Sequence, residues 1–211
     1  MELFKILWDR QDFFISCLFE HIRISLTAIF FAGILGLIAG ILISNYKKAA
    51  GVILGIINAV YTIPSISLLG FLIPFTGIGN KTAIIALSVY GLLPIVRNTY
   101  TGLTTIEPSM LEVAEGLGSD KRQLLFRVKL PLALPVILSG FRNMVVMIIA
   151  MSGIASFIGA GGLGVAIYRG ITTYNMALTA AGSLLIALLA LTCDFLLGRV
   201  EKAARRRLGI D

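Results

Sequence analysis

Charge is what this 211-residue chain has least of. Only 14% of its residues are Asp, Glu, Lys or Arg, against about 25% in soluble domains, and that scarcity excludes an ordinary water-soluble domain. Histidine is nearly absent too. His21 stands alone, so no catalytic triad or metal cluster can be built on imidazoles, and an interfacial or surface position is expected for it. Cys17 and Cys193 lie far apart with no metal-like spacing and read as small apolar membrane residues. At the N-terminus Lys5 and Arg10 mix with Glu2, Asp9 and Asp12. No short apolar core followed by a small-residue site comes after them, so no cleavable signal peptide is expected.

What the chain has is length in apolar runs. It is 57% hydrophobic, with a mean hydropathy of +0.94. Several blocks are long enough to cross ~30 Å of hydrocarbon, which takes about 20 helical residues. The expected fold is an all-α polytopic membrane bundle with about five transmembrane helices. An amphipathic segment over residues 1–21 reads as a helix at the interface. The spans follow at Ile24–Ser44, within Ala49–Phe75 (broken by Pro64 and Pro74), from Thr82 through Pro94 toward Leu103, from Pro131 to Gly153, and at Met176–Leu197. A glycine-rich stretch, Ser152–Gly170, precedes the last span. The domain division is an N-terminal interfacial segment (1–18), a membrane domain (19–200) and a basic tail (201–211).

The net charge of +7 is no nucleic-acid signal, because its distribution matters more than its sum. Five spans put the termini on opposite sides of the membrane. Grouping the Lys47/Lys48 loop, the segment after the third span and the tail puts twelve Lys and Arg on one side and five on the other, with Arg142 left inside the membrane. The positive-inside rule then predicts an external N-terminus and a cytoplasmic C-terminus.

The densest polar stretch is interior. Eight charged residues lie between Glu107 and Lys129. Pro108 suits a first helical turn, and Glu107, Glu112 and Glu115 lie where the helix dipole favours negative charge. Leu111, Ala114 and Leu117 are expected to share a face. Gly116 and Gly118 should stop this helix. Ser119 and Asp120 can cap a second one, with Leu124, Leu125 and Val128 inward and Lys121, Arg122 and Arg127 outward. Leu130-Pro131 is expected to break it and return the chain to the membrane. Such a loop is longer and better punctuated than a common helix connection of ~2–8 residues, which points to a docking surface.

Glu112-Val-Ala-Glu-Gly-Leu-Gly118, then Val128-Lys-Leu-Pro131-Leu-Ala-Leu-Pro135, resembles the "EAA…G…I-LP" loop of binding-protein-dependent ABC importer permeases. Val113 stands where that family has Ala, and Val128 where it usually has Ile. The resemblance covers about residues 19–200. Tyr61-Thr-Ile-Pro-Ser65, Leu93-Pro-Ile-Val-Arg-Asn-Thr-Tyr100 and Ala155-Ser-Phe-Ile-Gly-Ala-Gly-Gly-Leu-Gly164 are similar to the branch that imports glycine betaine, carnitine or choline. The resemblance implies a coupling helix seated in a cytosolic ATPase, with Glu112, Ala114, Glu115 and Gly118 as contact or elbow residues and Pro131 setting the return angle. It also implies a cytosolic ABC ATPase dimer that binds the ATP and magnesium, none bound by this chain itself. A second permease subunit, homologous or identical, and an extracellular substrate-binding protein complete the implied set, in the plasma membrane of a prokaryote. With Trp8 the only tryptophan, the tight aromatic cage for a quaternary ammonium is expected in the binding protein.

Candidates for the translocation path are Asn58, Tyr61, Pro64, Ser65, Ser67, Tyr90, Pro94, Asn98 and Ser152. The prolines should kink their spans and free carbonyls toward a cavity, while polar side chains in such spans commonly bind helix to helix. Arg142 is either a functional charge within a span or a side chain that snorkels to the interface. Gly159-Ala-Gly161-Gly-Leu-Gly164 fits a dinucleotide fingerprint but lacks its strand and acidic partner, and Gly77-Ile-Gly-Asn-Lys81-Thr82 lacks the Gly-Lys-Ser/Thr order of a P-loop. A permease for another small solute such as methionine, an ion channel and a membrane enzyme are the competing readings. A channel has no use for a docking loop, and an enzyme needs clustered catalytic groups that are not visible.

Overall fold

The computed structural model describes residues 2–209; Met1 and the last two residues of the expected tail, Ile210 and Asp211, lie outside the described residues. The described elements are helices: α1 (Glu2–Asp9), α2 (Gln11–Ser44), α3 (Lys47–Tyr61), α4 (Ser65–Thr76), α5 (Asn80–Thr104), α6 (Pro108–Gly116), α7 (Lys121–Gln123), α8 (Leu130–Ser152), α9 (Gly164–Thr172) and α10 (Met176–Arg207). A π-helical turn, Leu124–Lys129, joins α7 to α8, and a 3-10 turn, Ile154–Ile158, follows α8.

Four rods are long and apolar enough to cross a membrane: α2, α5, the continuous Lys121–Ser152 rod and α10. The bent pair α3–α4 supplies a fifth. The expected break between a surface helix and a first span near Ile24 is not there. α2 runs 34 residues without a proline, about 51 Å at 1.5 Å per residue, so its first turns project past the hydrocarbon. The short α1 packs back through Ile6 and Leu7 onto Phe14, Leu163 and Leu178.

α2, α5 and α8 form the central seam. Ala28, Ala32, Gly36 and Gly40 recur every four residues along α2, and all four are buried. α5 lies so close that a Cβ on Gly36 would run into Ile95 and one on Gly40 into Thr99. In lipid no hydrophobic drive pulls helices together, so association rests on van der Waals contact of this kind, and small residues permit it. The other side of α2 presents Phe30, Ile34, Ile38 and Leu42 outward, as a lipid-facing surface should. α10 packs on α8 and α9, and the basic residues through Arg207 continue its helix rather than forming a separate tail.

The second span breaks at Thr62–Pro64, and its limbs meet at 95°. Pro64 forces the residue before it out of helical geometry and opens α4 from an extended conformation (φ −55°, ψ 135°). Pro74 and Pro94 lie inside α4 and α5 without ending them.

Candidate functional site

The charged loop is built by backbone rules. Pro108 occupies the first turn of α6. At its other end the Ser119 N–H donates to the Ala114 carbonyl at 3.1 Å and the Gly118 N–H to the Glu115 carbonyl at 2.9 Å. This pair of bonds is the Schellman motif, and it requires a left-handed residue just past the cap. Gly118 supplies it with φ = 87°. Two residues on, Asp120 and Gln123 form a reciprocal capping box: the Gln123 N–H donates to Asp120 Oδ1 at 2.8 Å and the Asp120 N–H to Gln123 Oε1 at 3.1 Å. The chain therefore turns at Gly118 and re-enters helix at Lys121.

Two expectations for the loop need correction. Leu117 does not share a buried face with Leu111 and Ala114. Those two are half-buried, whereas Leu117 is 84% exposed. It joins Met110 and Val113, also exposed, as an apolar stripe at spacing three and four. Nor does Leu130-Pro131 break the helix. The Leu130 N–H reaches back five residues to the Leu125 carbonyl, and this π-type turn absorbs the N–H that Pro131 lacks. Leu124 is buried and Lys121, Arg122 and Arg127 are exposed, as expected. Glu112 and Glu115 face solvent.

The second candidate region is the elbow between α3 and α4. A helix that stops leaves its last carbonyls without partners, and Ser67 N–H bonds to Pro64 rather than to Ile63. The Ile63 carbonyl is taken instead by the hydroxyl of Tyr90, buried in α5. The Tyr61 ring packs edge-on against Tyr90 with centroids 5.9 Å apart, and its hydroxyl donates to Met147 Sδ at 3.4 Å. One turn earlier, Asn58 Oδ1 accepts from Arg97 at 3.0 Å. The elbow faces out of the chain: Tyr61 is 43% and Ile63 39% exposed, and Pro64 is exposed as well. Ser65 opens α4, half-buried, and Ser67 is exposed.

So Asn58, Tyr61, Pro64, Ser65 and Tyr90 come together at one elbow. The other candidates have different company. Asn98 bonds to the Pro94 carbonyl in its own helix at 2.8 Å, against α8 at Gly140. Ser152 is buried and pairs with Ser25 of α2 at 3.0 Å. Arg142 holds Asp194 of α10 through two bonds of 2.7 Å and Glu201 at 3.4 Å, a two-pronged clamp between α8 and α10.

Sequence reasoning passed over several of these residues. Arg97, seven residues after Tyr90 and therefore on the same face of α5, was legible as an elbow residue. Asp194, the only charge between Met176 and Leu197, was legible as the partner of Arg142. His21 had no such signal. It is fully buried, not superficial, and its Nε2–H donates to the Ile149 carbonyl at 3.0 Å. That carbonyl is orphaned because Gly153 N–H bonds to Ala150 and Met151 where α8 ends. Nearby, Glu20 accepts from Asn80 at 3.0 Å and from the Gly162 N–H at 3.3 Å, tying α2 and α5 to the glycine-rich turn.

The pattern of the family described as "binding-protein-dependent transport system inner membrane component" matches residues 32–208. The chain belongs to this family. A member is a multi-pass inner-membrane subunit of an ABC importer, a transport component rather than an enzyme, and works with ATPase and substrate-binding partners. Among related permeases, the chain is 41% identical over 186 residues to the glycine betaine/carnitine/choline transport system permease protein OpuCD of Bacillus subtilis (strain 168), covering 88% of this chain and 81% of that one. It is 46% identical over 167 residues to the ergothioneine transport permease/ergothioneine binding protein EgtU of Helicobacter pylori (strain G27), covering 77% of this permease and 30% of that longer protein. Its fold is similar to that of the inward-facing MetNI methionine ABC transporter, with a TM-score of 0.82 and 26% identity over 90% of this chain and 95% of that one.

Proposed function

We propose that this permease forms the translocation path for a small trimethylammonium osmoprotectant, namely glycine betaine, carnitine or choline. The observation that carries the reading is the 41% identity, over most of both chains, to a permease named for those three solutes. The 46% relative is named for ergothioneine, which also bears a trimethylammonium group, and it favours a second reading in which that group is the recognised feature and the remainder of the cargo varies. The methionine relative stands at 26%. The elbow chemistry agrees with such a cargo. A cation with no N–H to donate is held by aromatic faces, and the half-exposed Tyr61 ring beside Pro64 offers one.

In this reading the N-terminus is external and the C-terminus cytoplasmic. ATP and its magnesium sit on a cytosolic ATPase dimer, a second permease subunit completes the path, and an external binding protein delivers the cargo. The α6 loop seats its exposed Met110, Val113 and Leu117 in the ATPase. Glu112, Ala114 and Glu115 border that contact, and Gly118 fixes the angle between α6 and the rod beginning at Lys121. When the ATPase subunits close, the two loops approach, and the helices rock as rigid bodies between inward- and outward-open states.

The test is uptake by vesicles carrying the permease, its ATPase and its binding protein. Choline, carnitine, glycine betaine and ergothioneine should compete with one another, while methionine should not. Methionine uptake that the trimethylammonium compounds leave untouched would overturn the cargo assignment. Gly118→Val, which forces a branched residue to φ = 87°, should abolish uptake and ATPase capture while the protein still inserts, at a local cost of about 1–2 kcal/mol. Uptake at the parent rate would count against coupling through this elbow.

A further inference from the structure

The inner half of α10 carries an uncompensated positive stripe beneath an apolar one. Leu188, Leu191 and Phe195 are exposed, and Arg199, Lys202 and Arg206 continue on the same face, exposed in turn. At 100° per residue all six fall within a sector of about 80°. The two acidic residues in this half of α10 lie about 100–120° round the helix, and both are engaged there. Asp194 is held by Arg142, and Glu201 by Arg142 and Arg205. Among the described residues, no carboxylate pairs with Arg199, Lys202 or Arg206. The Arg199 guanidinium lies over the Phe195 ring, 5.6 Å from its centroid. Phe195, Arg199, Lys202, Ala203 and Arg206 border a recess of about 620 Å³.

We infer that this face is a binding site for one anionic phospholipid. The acyl chains lie along Leu188, Leu191 and Phe195, and the phosphate is held by Arg199 and Lys202, with Arg206 at its outer edge. The spacing suits a lipid. If the hydrocarbon takes about 20 residues from Met176, it ends near Phe195, and Arg199 and Lys202 then lie about 6 and 10 Å beyond it, at headgroup depth. Arg rather than Lys at the first position suits a phosphate, which it can grip with two parallel N–H donors. The clamp of Arg142 on Asp194 and Glu201 contributes as well, because it draws the negative charge of α10 away from the stripe. A soluble acidic protein would find the charges but leave the adjoining apolar residues bare. A phospholipid covers both.

The test uses the assembled importer in vesicles of phosphatidylethanolamine and phosphatidylglycerol in equal amounts, with a photoreactive benzophenone side chain at Leu191. After irradiation, mass spectrometry identifies what is attached. Phosphatidylglycerol should exceed phosphatidylethanolamine by about fivefold or more, the worth of a single cation at a membrane surface. The variant Arg199→Gln/Lys202→Gln/Arg206→Gln should bring the ratio close to one. Removing three charges at the opposite end, Lys5→Gln/Arg10→Gln/Lys81→Gln, should leave it unchanged. Equal labelling of the two lipids by the Leu191-labelled protein would overturn the site, and that measurement needs none of the charge variants to fold. Attachment to a protein subunit instead of lipid would overturn it too, and would mark the face as a subunit interface.

Discussion

Two helices of this permease stop short of a partner for their last carbonyls, and in each case a ring from another helix makes good the loss. At the end of α8, His21 donates to Ile149. At the end of α3, Tyr90 donates to Ile63. The settings differ. His21 has no exposed surface, and Ser25 and Ser152 form a second buried bond one turn along. Around Tyr90 the elbow is open, with Tyr61 and Ile63 about two-fifths exposed. The same device is thus a lock where α2, α8 and the glycine-rich turn meet, and a hinge pin where the broken span faces outward. A carbonyl sealed from water has no alternative partner. One beside an open elbow has water to turn to.

The comparison can be broken by removing each ring's donor. His21→Leu should have the largest effect, about 2–3 kcal/mol, because it strands a fully buried carbonyl. A thermal melt should show this as a clear drop, and a change within error would mean that the Ile149 carbonyl finds another partner. Tyr90→Phe keeps the ring and loses only the hydroxyl. It should cost about 1 kcal/mol, yet speed amide exchange at Thr62, Ile63, Ser65 and Ile66 while α2 stays protected. Uniform exchange across the bundle would remove the distinction between lock and hinge. Asn58→Ala, which releases Arg97 at a more exposed bond, should cost under about 0.5 kcal/mol and alter uptake more than stability. An equal loss in both would make Asn58 a packing residue only.

Where the sequence was legible, the determinants were local. Apolar length marked five crossings, Pro64 marked the broken one, and Pro108, Gly118 and Asp120 outlined the loop, because each acts within a turn of itself. The Schellman bonds and the capping box are carried by the residues that punctuate the sequence. Two local rules lost to their surroundings. Pro131 was expected to end a helix, but an extra residue per turn upstream removed the need. Leu117 was expected by spacing to share a face with Leu111 and Ala114, but it lies past the end of α6, where helical spacing no longer applies. The rings were out of reach for a different reason. Tyr90 lies 27 residues from its carbonyl and His21 lies 128 from its own, and only the packing of α5 on the α3–α4 elbow and of α2 on α8 brings each pair together. His21 reads as superficial because a lone histidine in an apolar chain defaults to the interface, and nothing within a few residues of it points to the Ile149 carbonyl.

The proline that fails to break its helix has a mechanical consequence. From Lys121 to Ser152 the chain is one rod of 32 residues, about 48 Å long. A tilt of about 5° at the charged loop would swing its far tip by about 4 Å over that length. That tip carries Ser152 and adjoins the carbonyl bound by His21. If the loop couples to an ATPase as proposed, a push received there would reach the other face of the membrane by leverage along this one rod, with no relay of small rearrangements between.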